Sequence, residues 1–146
     1  MRFFLDANIL VYSRSSSEYR DPCLHVLAAI TQGHADGCTS TAALEEVWHL
    51  ELTARADGLH GLTADAYGML APLLPVTDEV FSRALSLPGG SLGSNDRVHA
   101  ATCLTNGIHT IFSADGDFDS VENLRRVDPL DEHAVGELLA RGSSPE

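Results

Sequence analysis

The 146-residue chain has no lysine, and its nine basic side chains other than histidine are all arginine. That absence excludes chemistries that need an ε-amine, including phosphoryl-transfer sites that set a lysine beside the phosphoryl group. A biased source-genome composition accounts for the arginines more simply than phosphate binding does. The three cysteines, Cys23, Cys38 and Cys103, have no CxxC spacing, so neither a zinc ribbon nor a disulfide framework is readable. They are expected to be reduced core residues. No run is long and apolar enough to cross a bilayer. The apolar start ends at Asp6, too early for the h-region of a signal peptide, so a cytoplasmic protein is expected. Positive charge is also scarce: 9 arginines face 21 acidic residues, for a formal net charge of −12. Such a balance argues against broad electrostatic attachment to nucleic acid or to an anionic membrane. A polyanionic substrate would have to be held by metal and a local arginine patch. A basic protein partner, by contrast, would find a good landing surface.

Apolar residues make up 44% of the chain and charged residues 21%, which are ordinary values for a globular protein. At this length one domain is expected over residues 1–146, with residues 141–146 a flexible tail. Arg2 to Leu5 reads as a strand that leads into a helical turn at Ile9–Tyr12. Asp21-Pro22 predicts an N-cap and first helical residue for a helix running to Gly33. Gly37–Ser40 reads as a second strand, and Ala42–Asp57 has helical spacing. Thr63 and Thr77 are expected to cap two further helices, with a brief strand at Pro75-Val76 between them. A Gly- and Ser-rich loop over residues 88–95 delivers the chain to Asp96, and a helix follows to Asn106-Gly107. Ile108–Phe112 and the stretch around Arg126 read as strands, and Asp131 caps a last helix. Short strands alternating with helices predict an α/β fold, a three-layer α/β/α sandwich around a mainly parallel sheet.

Sites in such sheets form at the carboxyl ends of strands, where strand order reverses. Asp6 ends the first strand, Asp115 and Asp117 follow the strand at Ile108–Phe112, and Asp96 opens a helix that can aim at the same crevice. Glu46 lies about one turn into its helix. Carboxylates gathered in this way suit phosphodiester hydrolysis, because Mg²⁺ favours oxygen ligands, activates water and offsets developing phosphorane charge. Taken singly, each acid has a simpler role: Asp6 a helix cap, Asp96 a partner of the helix dipole, Glu45 and Glu46 solvated helix residues, Asp115 and Asp117 a turn. Their joint placement at one edge favours the site.

Four segments in order, Leu5-Asp6-Ala7-Asn8-Ile9-Leu10-Val11-Tyr12, Thr39-Ser40-Thr41-Ala42-Ala43-Leu44-Glu45-Glu46-Val47, Asn95-Asp96-Arg97-Val98-His99-Ala100-Ala101 and Phe112-Ser113-Ala114-Asp115-Gly116-Asp117-Phe118-Asp119, resemble the motifs of PIN-domain ribonucleases. Most similar are the VapC-type toxins of type II toxin–antitoxin modules. The resemblance spans nearly the whole chain and implies a PIN-like fold. It also implies a catalytic and metal-holding quartet of Asp6, Glu46, Asp96 and Asp115, with Asn8, Ser113 and Asp117 as auxiliary groups. Glu46 rather than its neighbour Glu45 matches the pattern, and Asp115 matches the fourth acid better than Asp117. The activity implied is that of an endoribonuclease using Mg²⁺ or Mn²⁺ and leaving 5′-phosphate and 3′-hydroxyl ends. The partners implied are RNA, a second copy of the chain in a homodimer, and a small antitoxin that covers the acidic crevice. Arg14, Arg20 and Arg97 flank the acidic motifs and are candidate phosphate contacts.

Two other readings bear on the same residues. Glu46-x-x-His49 and Asp96-x-x-His99 set acid and imidazole on one helix face each, as in di-iron bundles, but such a bundle needs four helices and two further glutamates. His49 and His99 are expected to pack between helices or to support the acids. The rival from a different class is a catalytically inactive PIN-like module that binds RNA or protein, which an intact quartet disfavours.

Overall fold

A computed structural model of the chain describes residues 1–53, 58–88 and 90–142. The expected helical residues 54–57, Gly89 of the glycine-rich loop and residues 143–146 of the tail lie outside them. Four strands, β1 (Arg2–Leu5), β2 (Asp36–Cys38), β3 (Thr110–Phe112) and β4 (Arg125–Val127), form one sheet in the order β2-β1-β3-β4. Every pairing is parallel, with Phe3 opposite Gly37, Phe4 opposite Ile111 and Ile111 opposite Arg126. The chain leaves β1 towards β2 on one side and returns to β3 on the other. The order therefore reverses between β1 and β3, the place where an open parallel sheet leaves a crevice.

The helices are α1 (Ala7–Tyr12), α2 (Arg20–Thr31), α3 (Thr41–Leu52), α4 (Leu62–Leu70), α5 (Asp78–Ser86), α6 (Ser94–Thr105) and α7 (Glu132–Gly142), with a 3₁₀ turn at Gly116–Ser120. Strand alternation divides the core. Phe3, Leu5, Phe112 and Val127 face one layer, packed with Ile9 and Leu10 of α1, Val26 of α2, Val47 of α3, Ala66 of α4 and Leu138 of α7. Phe4, Cys38 and Ile111 face the other, packed with Ala100 and Cys103 of α6 and with Phe118. The period of two along each strand serves both layers, and the result is a three-layer α/β/α sandwich. Phe3, Phe4, Phe112 and Phe118 are fully buried, each contributing about 2–3 kcal/mol of burial. α5 lies outside the second layer, its Val80 and Ala84 packed on Ala101 of α6. A Cβ on Gly37 would lie 2.8 Å from Leu5 Cδ1 and nearer still to Ile30 Cδ1, so the bare glycine lets α2 close down on β2. Among the described residues no helix is long and apolar enough to cross a membrane.

Three sequence expectations are corrected. α2 starts before Asp21, with Tyr19 at the N-cap and Asp21 inside the first turn, where its charge still meets the helix dipole favourably. Pro75-Val76 forms no strand; the neighbouring Leu74 makes a single parallel bridge to Ser40. Thr63 is not the cap of α4, whose N-cap is Gly61. The capping oxygens come from α3 instead: Glu51 accepts from Thr63 N at 2.9 Å through Oε1 and from Gly61 N at 3.3 Å through Oε2. The Thr63 amide chiefly holds the Glu51 carboxyl below its usual range. A depressed carboxyl stabilises the fold above its unfolded value of 4.5 and ceases to do so as pH falls through the folded value. Glu51→Gln is expected to lower Tm near neutral pH, with the difference from the parent closing in acid; thermal scans across pH check this. A constant difference would show that the charge plays no part.

Candidate metal centre

Asp6, Asp115 and Asp117 are each held by local hydrogen bonds. Asp6 ends β1 and caps α1: its N–H continues the sheet ladder to Phe112 O at 3.1 Å, and its Oδ1 accepts from Ala7 N at 2.8 Å. The capping role and a place in the crevice are thus compatible. The other oxygen, Oδ2, accepts from Ser113 Oγ at 2.6 Å and from Asn8 Nδ2 at 3.1 Å. Ser113 lies just past β3, and its hydroxyl also accepts from Asp115 N at 3.0 Å. Asp115 caps the 3₁₀ turn by accepting from Asp117 N at 3.0 Å. Asp117 accepts from Ser91 Oγ at 3.0 Å. Asp96 sits in the first turn of α6, and Glu46 in the second turn of α3.

Two groups of potential ligand atoms result, each with its members within 4.8 Å of one another: Asp6, Glu46 and His99, and Asp96, Asp115 and Asp117. Glu46 Oε1 lies 2.9 Å from His99 Nε2, and Asp6 Oδ1 lies 4.0 Å from the same nitrogen. Glu45 is exposed and lines, with Ala42, Glu46, His49, Leu50 and Asn95, a groove of about 460 Å³ beside the centre. His49 is exposed, so the two histidines suggested by the i,i+3 spacing part company. No arginine among the described residues pairs with Asp6, Glu46, Asp96, Asp115 or Asp117.

Asp6 is only 4% exposed. Burial raises its pKa against the lowering effects of the Ser113 hydrogen bond and the His99 charge. Burial is also the first cause at Asp96, reinforced by the charges of Asp6 and Asp115, and together they push its carboxyl up to about 6. Both shifts signal acids that resist ionising together without a counter-charge. Five carboxylate groups, no arginine partner among the described residues and two raised pKa values fit a hard divalent cation with oxygen ligands.

His99 is fully buried against Phe4, ring centroids 5.8 Å apart, and its Nδ1 has no hydrogen-bond partner among the described residues. Metal-bound histidines almost always donate the second ring N–H to an acceptor, and His99 has none there. The arrangement suits a neutral ring that donates Nε2–H to Glu46 Oε1, orienting Glu46. Burial pulls the His99 pKa down, but the Glu46 hydrogen bond and the charges of Glu46, Asp6 and Asp96 outweigh it. A cation among the carboxylates would cancel that upward pull and leave the neutral form.

The sequence profile of the PIN domain matches residues 3–124. The chain belongs to the PIN-domain family. No curated protein matches its sequence significantly. Among solved structures, this PIN chain is similar to the Rickettsia felis VapBC2 complex bound to a DNA fragment from its promoter, at 16% identity and a TM-score of 0.68 over 88% of this chain and 98% of that one. It is similar also to Mycobacterium tuberculosis VapC20, described as a toxin that cleaves the sarcin-ricin loop, at 19% identity and a TM-score of 0.64 over 84% and 98%. FitAcB from Neisseria gonorrhoeae gives 15% identity and a TM-score of 0.68 over 88% and 99%. At these identities the likeness is one of fold.

The three candidate phosphate contacts fare differently in this PIN domain. Arg14 is committed to Asp65 Oδ2 at 2.7 Å and to His60 O at 3.0 Å. Arg97 staples the loop before α6, donating to Leu87 O at 2.8 Å and Leu92 O at 3.1 Å. Arg20 opens α2 and is exposed. Sequence reasoning missed Arg126, whose guanidinium donates to Ser113 O at 3.0 Å; its place in a short strand gave no sign of that contact.

Proposed function

We propose that this PIN domain is a metal-dependent endoribonuclease and the toxin of a toxin–antitoxin pair. The observation that carries the reading is the gathering of Asp6, Glu46, Asp96, Asp115 and Asp117 at the β1/β3 edge, with no arginine among the described residues paired to them. Asp6, Glu46, Asp96 and Asp115 are the residues that would hold Mg²⁺ or Mn²⁺. A cation bound there supplies an activated water and offsets charge on the phosphate under attack. The chain's own groups prepare that chemistry. Asn8 and Ser113 fix the Asp6 carboxylate, His99 fixes Glu46, and Asp117 is tethered by Ser91 beside Asp96 and Asp115. Of the three flanking arginines, Arg20 is the exposed one left to meet phosphate, because the other two are spent on internal bonds.

The resemblance of the motifs to VapC-type toxins supports RNA as substrate, products with 5′-phosphates, a homodimer and a cytoplasmic site of action. The toxin–antitoxin complexes among its structural neighbours support an antitoxin partner. The net charge of −12 favours a basic segment on that partner.

Total RNA incubated with purified protein and Mg²⁺ or Mn²⁺ tests the reading. Discrete fragments with 5′-phosphates are expected, lost with EDTA. RNA binding without cleavage under either metal would instead favour the inactive binding module.

A further inference from the structure

We propose that Arg126 is a positioning residue for the acidic centre, closing the 113–119 loop onto β4 and, through Ser113, fixing the Asp6 carboxylate. The proposal deepens the metal-centre reading above and rests on it for its activity measurements. Arg126 stands in β4, beyond β3 from Asp6, and its side chain is 13% exposed. Four of its donor contacts are satisfied within hydrogen-bond distance. Nε and Nη2 grip Asp119 at 2.9 and 3.1 Å, while Nη1 reaches Asp128 Oδ2 at 2.9 Å and Ser113 O at 3.0 Å. Such a planar fork can join three acceptor residues in one fixed geometry, which an ammonium cannot reproduce.

The two ends of the acidic loop are the residues held. Ser113 begins it and Asp119 closes it, and Asp115 and Asp117 lie between. Ser113 is further pinned by its own N–H to Val127 O at 3.1 Å, so both its backbone polar groups are anchored to the β4 side. From that anchored backbone its hydroxyl donates to Asp6 and accepts from Asp115 N. One guanidinium is therefore a single residue away from two of the acids. A role in stability alone fits less well, because Asp119 is 60% exposed and Asp128 33%, and ion pairs so open to water stabilise little. Loss of the fork should instead loosen where the carboxylates stand.

Arg126→Met keeps the aliphatic stem and removes the fork; Arg126→Lys keeps the charge alone. In Arg126→Met, Mn²⁺ affinity by calorimetry is expected to fall about tenfold to a hundredfold, the usual consequence of removing an outer support. The fall in kcat should be of the same order, with KM nearly unchanged. Arg126→Lys should not recover the loss, whereas added guanidinium ion should restore part of it in Arg126→Met. Asp119→Asn, at an exposed position that should not disturb folding, is expected to shift Mn²⁺ affinity in the same direction by a few-fold. Folded Arg126→Met with parental Mn²⁺ affinity and kcat would overturn the proposal. Should that variant not fold, parental affinity in Asp119→Asn would overturn it equally. If the parent itself neither binds Mn²⁺ nor cuts RNA, the nuclease reading falls while hydrogen exchange of the Asp115 and Asp117 amides still decides this one. Faster exchange in the variants upholds the positioning role, and unchanged exchange overturns it.

Discussion

Asp96→Asn is expected to abolish RNA cleavage, lowering kcat by roughly a thousandfold or more, about 4 kcal/mol of barrier, while raising the melting temperature measured without added metal. The two effects have one cause. The Asp96 carboxyl titrates at about 6, pushed up first by burial and then by the charges of Asp6 and Asp115, so near neutral pH its charge is held against the preference of the fold. The displacement from 3.8 to about 6 would amount to about 3 kcal/mol for a fully buried group. Asp96 is half-buried, and solvent screening reduces the expected gain to about 1 kcal/mol, or about 3 °C in Tm for a chain of this size. Asparagine keeps the shape but carries no charge to the cation. Thermal scans in EDTA, run beside the cleavage assay, read both effects on one preparation. A variant that is inactive and also less stable would point to a damaged fold rather than a disarmed centre.

The layout of this acidic cluster is legible in part, and the limits have physical causes. Asp6, Asp96 and Asp115 each stand where a pattern changes, from apolar strand to turn or from glycine-rich loop to helix. A change of that kind is a local signal, and a parallel sheet fixes which end of each strand it marks. Glu46 is different: helical spacing places it on α3, but only the packing of α3 across the β1 edge brings it within 2.9 Å of His99. Its partner shows in the sequence only as an i,i+3 pair with Asp96, a relation to which the structure adds one across helices. Capping is hard to read from sequence where several polar residues compete. Thr63 satisfies the usual cap preference, yet Glu51, twelve residues away, supplies the oxygen because α3 and α4 lie side by side. Pro75-Val76 has strand composition, but a strand exists only where a neighbour pairs, and Leu74 alone finds one. Arg126 illustrates the same limit, since a single arginine in a three-residue strand carries no sign of the three acceptors it meets.

Divalent cation is expected to stabilise the protein strongly near neutral pH and weakly in acid. Asp96 and Asp6 both have folded pKa values above their unfolded ones. For such groups the folded state binds more protons than the unfolded state between the two values, so stability falls as pH rises through that window. For Asp96 the window runs from 3.8 to about 6. Above it the carboxylates stand ionised at a cost to the fold, and a cation relieves that cost. Below about 6 the folded site holds a proton that each bound ion must first displace, and affinity should fall about tenfold per pH unit for each proton displaced. At a Mn²⁺ concentration about a hundred times Kd near neutral pH, the expected stabilisation is about 2.7 kcal/mol. At the acid end of the window the same concentration should give a small part of that. Tm measured with and without Mn²⁺ across the window reads the trend, and calorimetric titration in two buffers of different ionisation enthalpy counts the protons released. A stabilisation that did not change with pH, or that survived intact in Asp96→Asn, would place the ion somewhere other than among these carboxylates.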